Sequence, residues 1–330
     1  MAQSTLEVAH LSTSFFTARG ETKVVRDVSL SIGPGEICGI VGESGCGKSM
    51  VARSIMGLLK HPGKVVGGSI RLCGRELTTL DEQTMRDVRG SQLSMVFQEP
   101  MTSLNPLMKV GPQVAEPVRL HEDVSKEEAR RRALDMFEAV GIPEASVRYD
   151  AYPHELSGGL RQRVMIAMAM VCKPDLLIAD EPTTALDATV EAQILRLLRN
   201  LSDQGTSILI ISHNLGVIAE LCDKVNVMYA GRFVEQADVC TLFDHPAHPY
   251  TQGLLGAVKA LRHAGRTLET IPGAVPNLAQ LPNGCSFSPR CERCVEECTR
   301  REPLLAEIAP GHWVSCHEVV REQSLGEVIA

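Results

Sequence analysis

The sequence predicts an α/β fold built around a nucleotide-binding core. Three observations lead to this prediction: a glycine-rich motif between a strand and a helix, short apolar strands that alternate with helices, and a globular composition. Hydrophobic residues make up 44% of the 330 residues and charged residues 22%, which is enough apolar material for a sizeable core. Strands that are apolar on both faces and joined by helices indicate a mostly parallel sheet that is covered on both sides.

The first predicted elements are two strands. Residues 5–10 and 24–32 alternate apolar and polar positions, which indicates an antiparallel pair. Phe15 lies in the connection between them, and its ring has two interpretations: stacking on an adenine ring, or anchoring the loop by packing. We expect the pair to cover the base of a nucleotide bound at the loop that follows.

That loop runs from Gly42 to Ser49 and matches the phosphate-binding pattern G-x-x-x-x-G-K-[ST], between a predicted strand over 36–41 and a predicted helix over 50–59. Glycines let several backbone N–H groups point into one concavity, and the helix N-terminus adds partial positive charge. Lys48 would reach the β- and γ-phosphates, and Ser49 offers the oxygen ligand that Mg²⁺ prefers. A chance glycine turn is the alternative, which the flanking strand and helix disfavour. The candidate ATP-binding residues here are Gly42, Ser44, Gly45, Cys46, Gly47, Lys48, Ser49 and Met50.

The chain changes character between about residues 100 and 160. Prolines interrupt its beginning, and two helical patterns follow, the clearer one over 125–140. We interpret this stretch as a helical subdomain inserted into the α/β domain. On either side of it, short apolar runs predict the remaining strands, at residues 69–72, 93–97, 176–179, 207–211 and 225–229.

Polar residues follow three of these strands. Asp180 and Glu181 end one strand, where the first carboxylate can join a Mg²⁺ shell and the second can polarise a water that attacks the γ-phosphate. Gln98 follows another strand and could reach the metal or that water. His213 follows a third and could bond the γ-phosphate. Solvent-facing acids and a structural histidine are the alternatives, and each residue alone is a weak signal.

A second possible phosphate cradle opens a later helix. The run Leu156–Gln162 contains a serine and two glycines at a predicted helix N-terminus, where the same backbone N–H groups can bind an anion. The candidate ligand-binding residues in this run are Ser157, Gly158, Gly159 and Gln162.

Charge and hydropathy limit the possible partners. A net charge of −7 argues against non-specific nucleic-acid binding, because polyanions favour a basic face. The longest apolar run, Val164–Cys172, is shorter than the roughly 20 residues that a spanning helix needs. We therefore expect a cytosolic chain with no nucleic-acid partner, attached to a membrane only through other proteins.

In their order and spacing, these motifs resemble those of the ATP-binding cassette ATPases over roughly residues 5–260. The resemblance implies that Phe15 stacks on adenine, that Gln98 is a switch residue, and that Ser157 to Gln162 form the signature sequence. It also implies that Asp180 is the metal-linked carboxylate, Glu181 the catalytic base and His213 the γ-phosphate switch. ATP and Mg²⁺ are the implied cofactors.

The same resemblance implies partners. Two cassettes of this family pair head to tail, so each ATP lies between the phosphate loop of one chain and the signature of the other. The second cassette would be another copy or a homologous subunit. Two transmembrane permease subunits and a periplasmic or extracellular solute-binding protein would complete an importer. The chain would then lie at the cytoplasmic face of the cell membrane as a peripheral subunit.

Motifs within residues 245–316 resemble the C-terminal extension of bacterial dipeptide, oligopeptide and nickel importer ATPases. They include His245–Thr251, Ile271–Leu278 and Gly284–Cys291. The resemblance implies a transporter ATPase that energises uptake of dipeptides, oligopeptides or a related solute. We expect an ATPase domain over residues 1–264 and a small, irregular, cysteine-rich extension over residues 265–330.

Five of the eleven cysteines lie in this extension. Four thiolates can hold a [4Fe–4S] cluster or a tetrahedral Zn²⁺, and spacing alone does not choose between them. Four free thiols are the third alternative. The resemblance favours an iron–sulfur cluster and leaves Cys294 as an additional cysteine. The implied ligands are Cys285, Cys291, Cys298 and Cys316.

Two other functions compete with transport. One is a soluble ATPase of the same family that acts on ribosomes or DNA, although such proteins usually carry two fused cassettes or a coiled-coil insertion, which this sequence lacks. The other is an ATPase gated by the redox state of its cysteine cluster, which requires activity to change with the state of the cluster.

Overall fold

The computed structural model describes residues 4–18, 20–98, 103–184, 186–262 and 271–329. Its strands are β1 (Leu6–Thr17), β2 (Gly20–Ile32), β3 (Ile37–Val41), β4 (Gly63–Leu72), β5 (Arg75–Glu76), β6 (Leu93–Val96), β7 (Leu176–Asp180), β8 (Ser207–Ser212), β9 (Lys224–Tyr229), β10 (Arg232–Asp238), β11 (Ala306–Ala309) and β12 (His312–Val314). Its helices are α1 (Lys48–Ile55), α2 (Glu82–Val88), α3 (Val110–His121), α4 (Lys126–Ala139), α5 (Ala145–Arg148), α6 (Gly158–Met170), α7 (Ala188–Asp203), α8 (Leu215–Leu221), α9 (Val239–Asp244), α10 (Pro249–Arg262), α11 (Glu296–Arg300) and α12 (His317–Ile329), with 3-10 turns at Pro153–Glu155 and Ser288–Arg290.

The smaller sheet is antiparallel and has the order β2-β1-β4-β5 within the described residues. Strands β1 and β2 pair from Leu6 opposite Ile32 to Thr17 opposite Gly20, so the predicted antiparallel pair is confirmed and is longer than its alternating core. Apolar side chains on one face of this sheet pack against helix α1 and the large sheet, in a cluster that includes Val28, Val51 and Ile55.

The larger sheet has the order β11-β12-β10-β9-β3-β8-β7-β6. Strands β9, β3, β8, β7 and β6 are parallel, as the continuous apolar runs predict, and every residue of β3, β7 and β8 is buried. Because parallel strands end at the same edge, Val41, Val96, Asp180 and Ser212 bring the loops that follow them together. The candidate site lies at this edge.

Helices α3, α4 and α6 form the inserted helical subdomain. Ser125 caps α4 by accepting a hydrogen bond of 3.1 Å from the backbone N–H of Glu128, which confirms the predicted start of this helix. Val114, Ala133 and Phe137 are fully buried between the three helices and join the main core cluster.

The C-terminal extension is less irregular than the sequence predicts. Strands β11 and β12 continue the large sheet, because β12 pairs with β10 through Glu235 opposite Val314. The ring of Phe287 lies 5.2 Å from that of Tyr229 and 5.5 Å from that of Tyr250, so the extension shares the core of the ATPase domain. The domain boundary expected at residues 264 and 265 lies outside the described residues. No helix in the described part of the chain is long and apolar enough to cross a membrane.

Candidate functional site

The phosphate loop connects β3 to α1 and depends on two glycines. Gly47, the N-cap residue directly before α1, has a φ of 111°, and a Cβ there would lie 2.6 Å from the carbonyl oxygen of Val24. A Cβ at Gly42 would lie 2.2 Å from the carbonyl oxygen of Met228. Larger residues at either position would force the loop away from the strands below it.

Lys48 is buried inside this loop. Its Nζ donates hydrogen bonds to the carbonyl oxygens of Gly42, at 2.7 Å, and Glu43, at 3.0 Å. Cys46 is also fully buried, and burial raises the pKa of its thiol, so this cysteine is a packed neutral side chain. The loop therefore presents a single buried ammonium group at the start of α1.

Asp180 and Ser49 meet beside the loop. The Ser49 hydroxyl donates a hydrogen bond of 3.0 Å to Oδ1 of Asp180. Burial raises the pKa of the Asp180 carboxyl; the Ser49 hydrogen bond opposes this rise and the charge of Glu181 adds to it. A cation beside this carboxylate would favour its ionised form, and the hydroxyl and carboxylate oxygens fit the ligand preference of Mg²⁺. The residues present therefore fit the predicted Mg²⁺.

Glu181 and His213 form a second pair at the same edge. Nδ1 of His213 lies 2.6 Å from Oε2 of Glu181, and the hydroxyl of Thr184 donates to the same oxygen at 2.8 Å. The backbone N–H of Glu181 donates to the carbonyl of Ile211 at 2.8 Å, which holds the residue at a positive φ of 53°. A non-glycine residue in this conformation is strained, and such strain is common at functional sites.

One cavity of about 360 Å³ brings these elements together. The phosphate loop forms one wall, and Gln98 and Glu181 approach from the ends of neighbouring strands. Val24 and Leu278 also line it, although no sequence motif marked either residue as a ligand contact. The complete lining is Val24, Ser44, Gly45, Gly47, Lys48, Ser49, Met50, Gln98, Glu181 and Leu278.

Family comparisons agree with this arrangement. A family model described as ABC transporter matches residues 25–184, and a second, described as oligopeptide/dipeptide transporter C-terminal region, matches residues 234–298. The chain is 50% identical over 322 residues to the oligopeptide transport ATP-binding protein OppD of Escherichia coli (strain K12), covering 97% of this chain and 95% of that protein. The chain belongs to the ATP-binding cassette (ABC) transporter family.

Other ABC proteins show the same similarity. The probable peptide ABC transporter ATP-binding protein y4tR of Sinorhizobium fredii is 50% identical over 314 residues, covering 94% of each chain. Among solved structures, the dimeric ATP-binding cassette MJ0796 in a post-hydrolysis state bound to ADP and Pi superposes with a TM-score of 0.64 at 26% identity, covering 71% of this chain and 98% of that one. These matches confirm the predicted ABC ATPase fold.

The predicted adenine-stacking residue of this ABC ATPase is not among the residues that line the phosphate cavity. Phe15 lies near the end of β1, and its ring is close enough to Gly63 that a Cβ on Gly63 would approach it to 2.8 Å. The ring is half-buried by this contact. Its role in base stacking stays a prediction.

The predicted ABC signature lies at the N-terminus of α6. Ser157 caps the helix by accepting from the backbone N–H of Leu160 at 3.3 Å, and Ser157 and Gly158 are exposed. Gly159 faces its own chain, since a Cβ there would lie 2.7 Å from Cγ1 of Val190. Gln162 is only 3% exposed, so the structure does not bring its side chain to the surface that a second cassette would approach. None of these residues lines the phosphate cavity of the same chain.

The four predicted iron–sulfur ligands lie in the extension as buried or half-buried thiols. Burial raises the pKa of Cys285 to about 12, and interactions with Cys298, Cys316 and Cys291 add to the rise. Within the described ranges, no three His, Cys, Asp or Glu side chains form a group that could hold a metal ion. The structure therefore does not support the iron–sulfur or zinc site.

Proposed function

We propose that this ABC ATPase hydrolyses ATP to energise the uptake of dipeptides or oligopeptides. The observation that carries the proposal is the cavity in which Lys48 and Ser49 of the phosphate loop face Gln98 and Glu181. The matches to a peptide-transporter C-terminal region and to two peptide-transport ATP-binding proteins support the solute class.

The phosphate loop would bind the triphosphate of ATP. Lys48 would exchange the carbonyl oxygens of Gly42 and Glu43 for oxygens of the β- and γ-phosphates, with little movement of its buried side chain. Ser49, Asp180 and Gln98 would hold Mg²⁺, which when bound neutralises charge on the phosphates.

Glu181 would act as the base for the attacking water. Its carboxylate faces the cavity and is oriented by the hydroxyl of Thr184 and by the ring of His213, so one carboxylate oxygen is fixed while the other can accept from water. His213 is half-exposed and can turn towards the γ-phosphate. These roles follow from placement at one edge of the sheet.

A second cassette would complete the site. The exposed Ser157 and Gly158 lie outside the phosphate cavity of their own chain, which supports a signature that acts on the nucleotide of a partner. The partner would be a second copy or a homologous ATPase subunit. We propose that Ser157, Gly158 and Gly159 make this contact through their backbone. The buried side chain of Gln162 would not touch the partner, and this residue would contribute only as part of helix α6.

The permease contact would lie close to Gln98. The contact would be formed by residues 98–106, of which 99–102 lie outside the described residues. Leu107 is 86% exposed, Met108 lies beside it, and a cavity of about 940 Å³ extends from Asp180 past Phe97. Exposed apolar side chains beside a cavity suit a protein partner. Two permeases and a solute-binding protein would then place this subunit peripherally at the cytoplasmic face of the membrane.

The test is reconstitution. The subunit would be assembled with its permeases and binding protein in liposomes, and peptide-dependent ATP hydrolysis and peptide uptake would be measured together. Glu181→Gln should lower hydrolysis by about 10²- to 10⁴-fold while ATP binding persists, as expected when a general base is lost. Unchanged hydrolysis in this variant, or hydrolysis that no peptide stimulates, would contradict the proposal.

The metal site in the extension stays a prediction with its own test. Cys298 and Cys316 both contribute to the raised pKa of the Cys285 and Cys291 thiols, so the four thiols lie within electrostatic reach of one another. Metal binding would have to deprotonate and regroup them. Anaerobically purified protein should contain roughly four irons per chain if a cubane cluster forms. Cys298→Ser should lose the metal and Cys294→Ser should keep it. Zinc without iron would favour a structural zinc site, and absence of both would show the prediction wrong.

A further inference from the structure

An arginine of the C-terminal extension reaches the phosphate loop. Nη1 of Arg290 lies 2.7 Å from Oε2 of Glu43, and Nη2 lies 3.1 Å from Oε1 of the same carboxylate. The arginine side chain is only 4% exposed, and its Nε donates to the carbonyl of Pro272 at 2.8 Å. A planar guanidinium that bonds both carboxylate oxygens fixes distance and direction together.

Glu43 is the second residue of the phosphate loop, and its backbone is fixed on both sides. Its N–H donates to the hydroxyl of Tyr250 at 2.9 Å, and its carbonyl oxygen accepts from Nζ of Lys48 at 3.0 Å. A shift of Glu43 would therefore move an acceptor of the ammonium group that would bind the phosphates. The chain of contacts runs from Arg290 through Glu43 to Lys48.

Charge gives this pair a second consequence. An acidic side chain in an anion-binding loop repels a triphosphate unless a cation compensates it, and the interaction is strong in a partly buried site. Arg290 supplies that cation. Leu278, from the same extension, lines the phosphate cavity itself, so the extension contacts the site at two places.

We propose that Arg290 is a positioning residue for the phosphate loop, through which the C-terminal extension sets the affinity of the ATPase for ATP. The inference rests on the proposed nucleotide site and deepens it. Arg290 is adjacent in sequence to Cys291 and ends the 3-10 turn Ser288–Arg290, so a rearrangement of the extension would be transmitted to Glu43.

If Arg290 only anchored the extension to the ATPase domain, loss of any other anchor should weaken ATP binding equally. The chain offers a matched control for this alternative. Glu302 of the extension accepts from Arg26 of β2, and it lies 2.8 Å from Nη1 of Arg232 in β10. This cluster also fastens the extension to the ATPase domain, and the hydrogen bonds and ion pairs of its side chains among the described residues do not include the phosphate loop. Glu302→Gln therefore removes an anchor and leaves Glu43 paired.

The experiment measures ATP binding by titration calorimetry on the full-length subunit, together with thermal unfolding without nucleotide. Arg290→Ala should weaken ATP binding about tenfold, within the range usual for coupled sites. Arg290→Lys should weaken it less, because the charge remains and the bidentate fork is lost. Glu302→Gln should bind ATP like the wild type, even if it unfolds at the same lower temperature as Arg290→Ala.

The double-mutant cycle with Glu43→Gln isolates the pair. In the Arg290→Ala background, Glu43→Gln should recover most of the lost affinity, because it removes the uncompensated charge. Wild-type affinity in Arg290→Ala, an equal loss in Glu302→Gln, or strictly additive losses in the cycle would each overturn the inference. If Arg290→Ala does not fold, Arg290→Lys with Glu43→Gln completes the same test.

The proposed function can be separated from this inference by one further variant. Lys48→Ala should weaken ATP binding whether or not Arg290 is also substituted. If Lys48→Ala binds ATP normally, the nucleotide site is wrong; if only Arg290→Ala binds ATP normally, the site stands and the coupling to the extension is wrong.

Discussion

Helices α1 and α6 begin with similar glycine-containing N-termini and differ in their surroundings. Helix α1 follows the N-cap residue Gly47, which makes no side-chain cap hydrogen bond, and it opens onto a cavity lined by Lys48 and Glu181. Helix α6 follows the N-cap residue Ser157, whose side chain accepts from one of the helix's N–H groups, and its N-terminus is exposed. The first is equipped to bind phosphate within its own chain. The residues at the start of the second do not line that cavity, as expected of a surface that completes the site of another chain.

The largest effect should come from the α1 site. Lys48→Ala removes the buried ammonium group of the phosphate loop and should weaken ATP binding by roughly 10- to 100-fold, equivalent to the loss of about 1.5–3 kcal/mol for a hydrogen bond to a charged group. Equilibrium titration with a fluorescent ATP analogue measures this. Lys126→Ala, on the exposed face of α4, is the matched control and should bind ATP normally. Normal ATP binding in both variants would show that the N-terminus of α1 is not the phosphate-binding site, and the proposed difference between α1 and α6 would be wrong.

The α6 site should respond in the opposite way. Gly158→Asp places a carboxylate at the exposed N-terminus of α6, where the helix dipole tolerates it and a Cβ meets only Leu186 at 3.9 Å. ATP should bind as in the wild type, while turnover of the assembled transporter falls at least about tenfold through repulsion of the partner's γ-phosphate. Mixing with catalytically inactive Glu181→Gln subunits shows which site is lost. Reduced ATP binding by the mutated chain itself would contradict a signature that acts on a partner.

The two adjacent glycines of α6 should differ in stability. Gly159→Ala forces a methyl group to within 2.7 Å of Val190 and should destabilise the fold by about 1–3 kcal/mol, as overpacking typically does. Gly158→Ala makes only an ordinary van der Waals contact with Leu186, at 3.9 Å, and should be close to neutral. Chemical denaturation of both variants measures the difference. Equal stabilities would mean that α6 does not pack on α7 as the structure shows.

The sequence predicts the α1 region well because its signals are local. The phosphate loop, the apolar strands and the acids at their ends are each encoded within a few residues, and the parallel sheet then brings them to one edge. The burial of Gln162 has no such signal, because α6 is apolar around most of its surface and no single face is marked as exposed.

Contacts between distant parts of the chain also have no local signal in the sequence, so the sequence does not predict them. Arg290 and Glu43 are 247 residues apart in the sequence, and strand β12 of the extension pairs with β10 of the ATPase domain. No periodicity specifies a pairing at that distance. The available signal in the sequence is the acidic Glu43 inside an anion-binding loop. It indicates that a basic residue lies nearby, but it does not identify that residue.

A smaller effect is expected at the cap of α6. Ser157→Ala leaves the N–H of Leu160 without its hydrogen-bond acceptor and should cost about 1 kcal/mol of stability, the usual value for a lost N-cap. Ser157→Asp keeps the acceptor and should retain stability. Thermal unfolding of the nucleotide-free subunit distinguishes the two. If Ser157→Ala is as stable as the wild type, the serine is present for its partner alone.

The smallest effect on stability is expected at Asp180, the acidic residue of the α1 site. Burial raises the pKa of Asp180 above its usual 3.8. Between pH 3.8 and the raised value, the carboxyl is therefore protonated in the folded protein but ionised in the unfolded chain. The contribution of this carboxyl to stability therefore falls as pH rises through that window and remains unfavourable at neutral pH. Asp180→Asn should raise the melting temperature of the nucleotide-free subunit slightly at pH 7 and leave it unchanged near pH 3, while abolishing Mg²⁺-dependent ATP hydrolysis. Unfolding scans across this pH range test the sign, and a variant that is less stable at neutral pH would show that Asp180 supports the fold instead of being held at a cost for its cation.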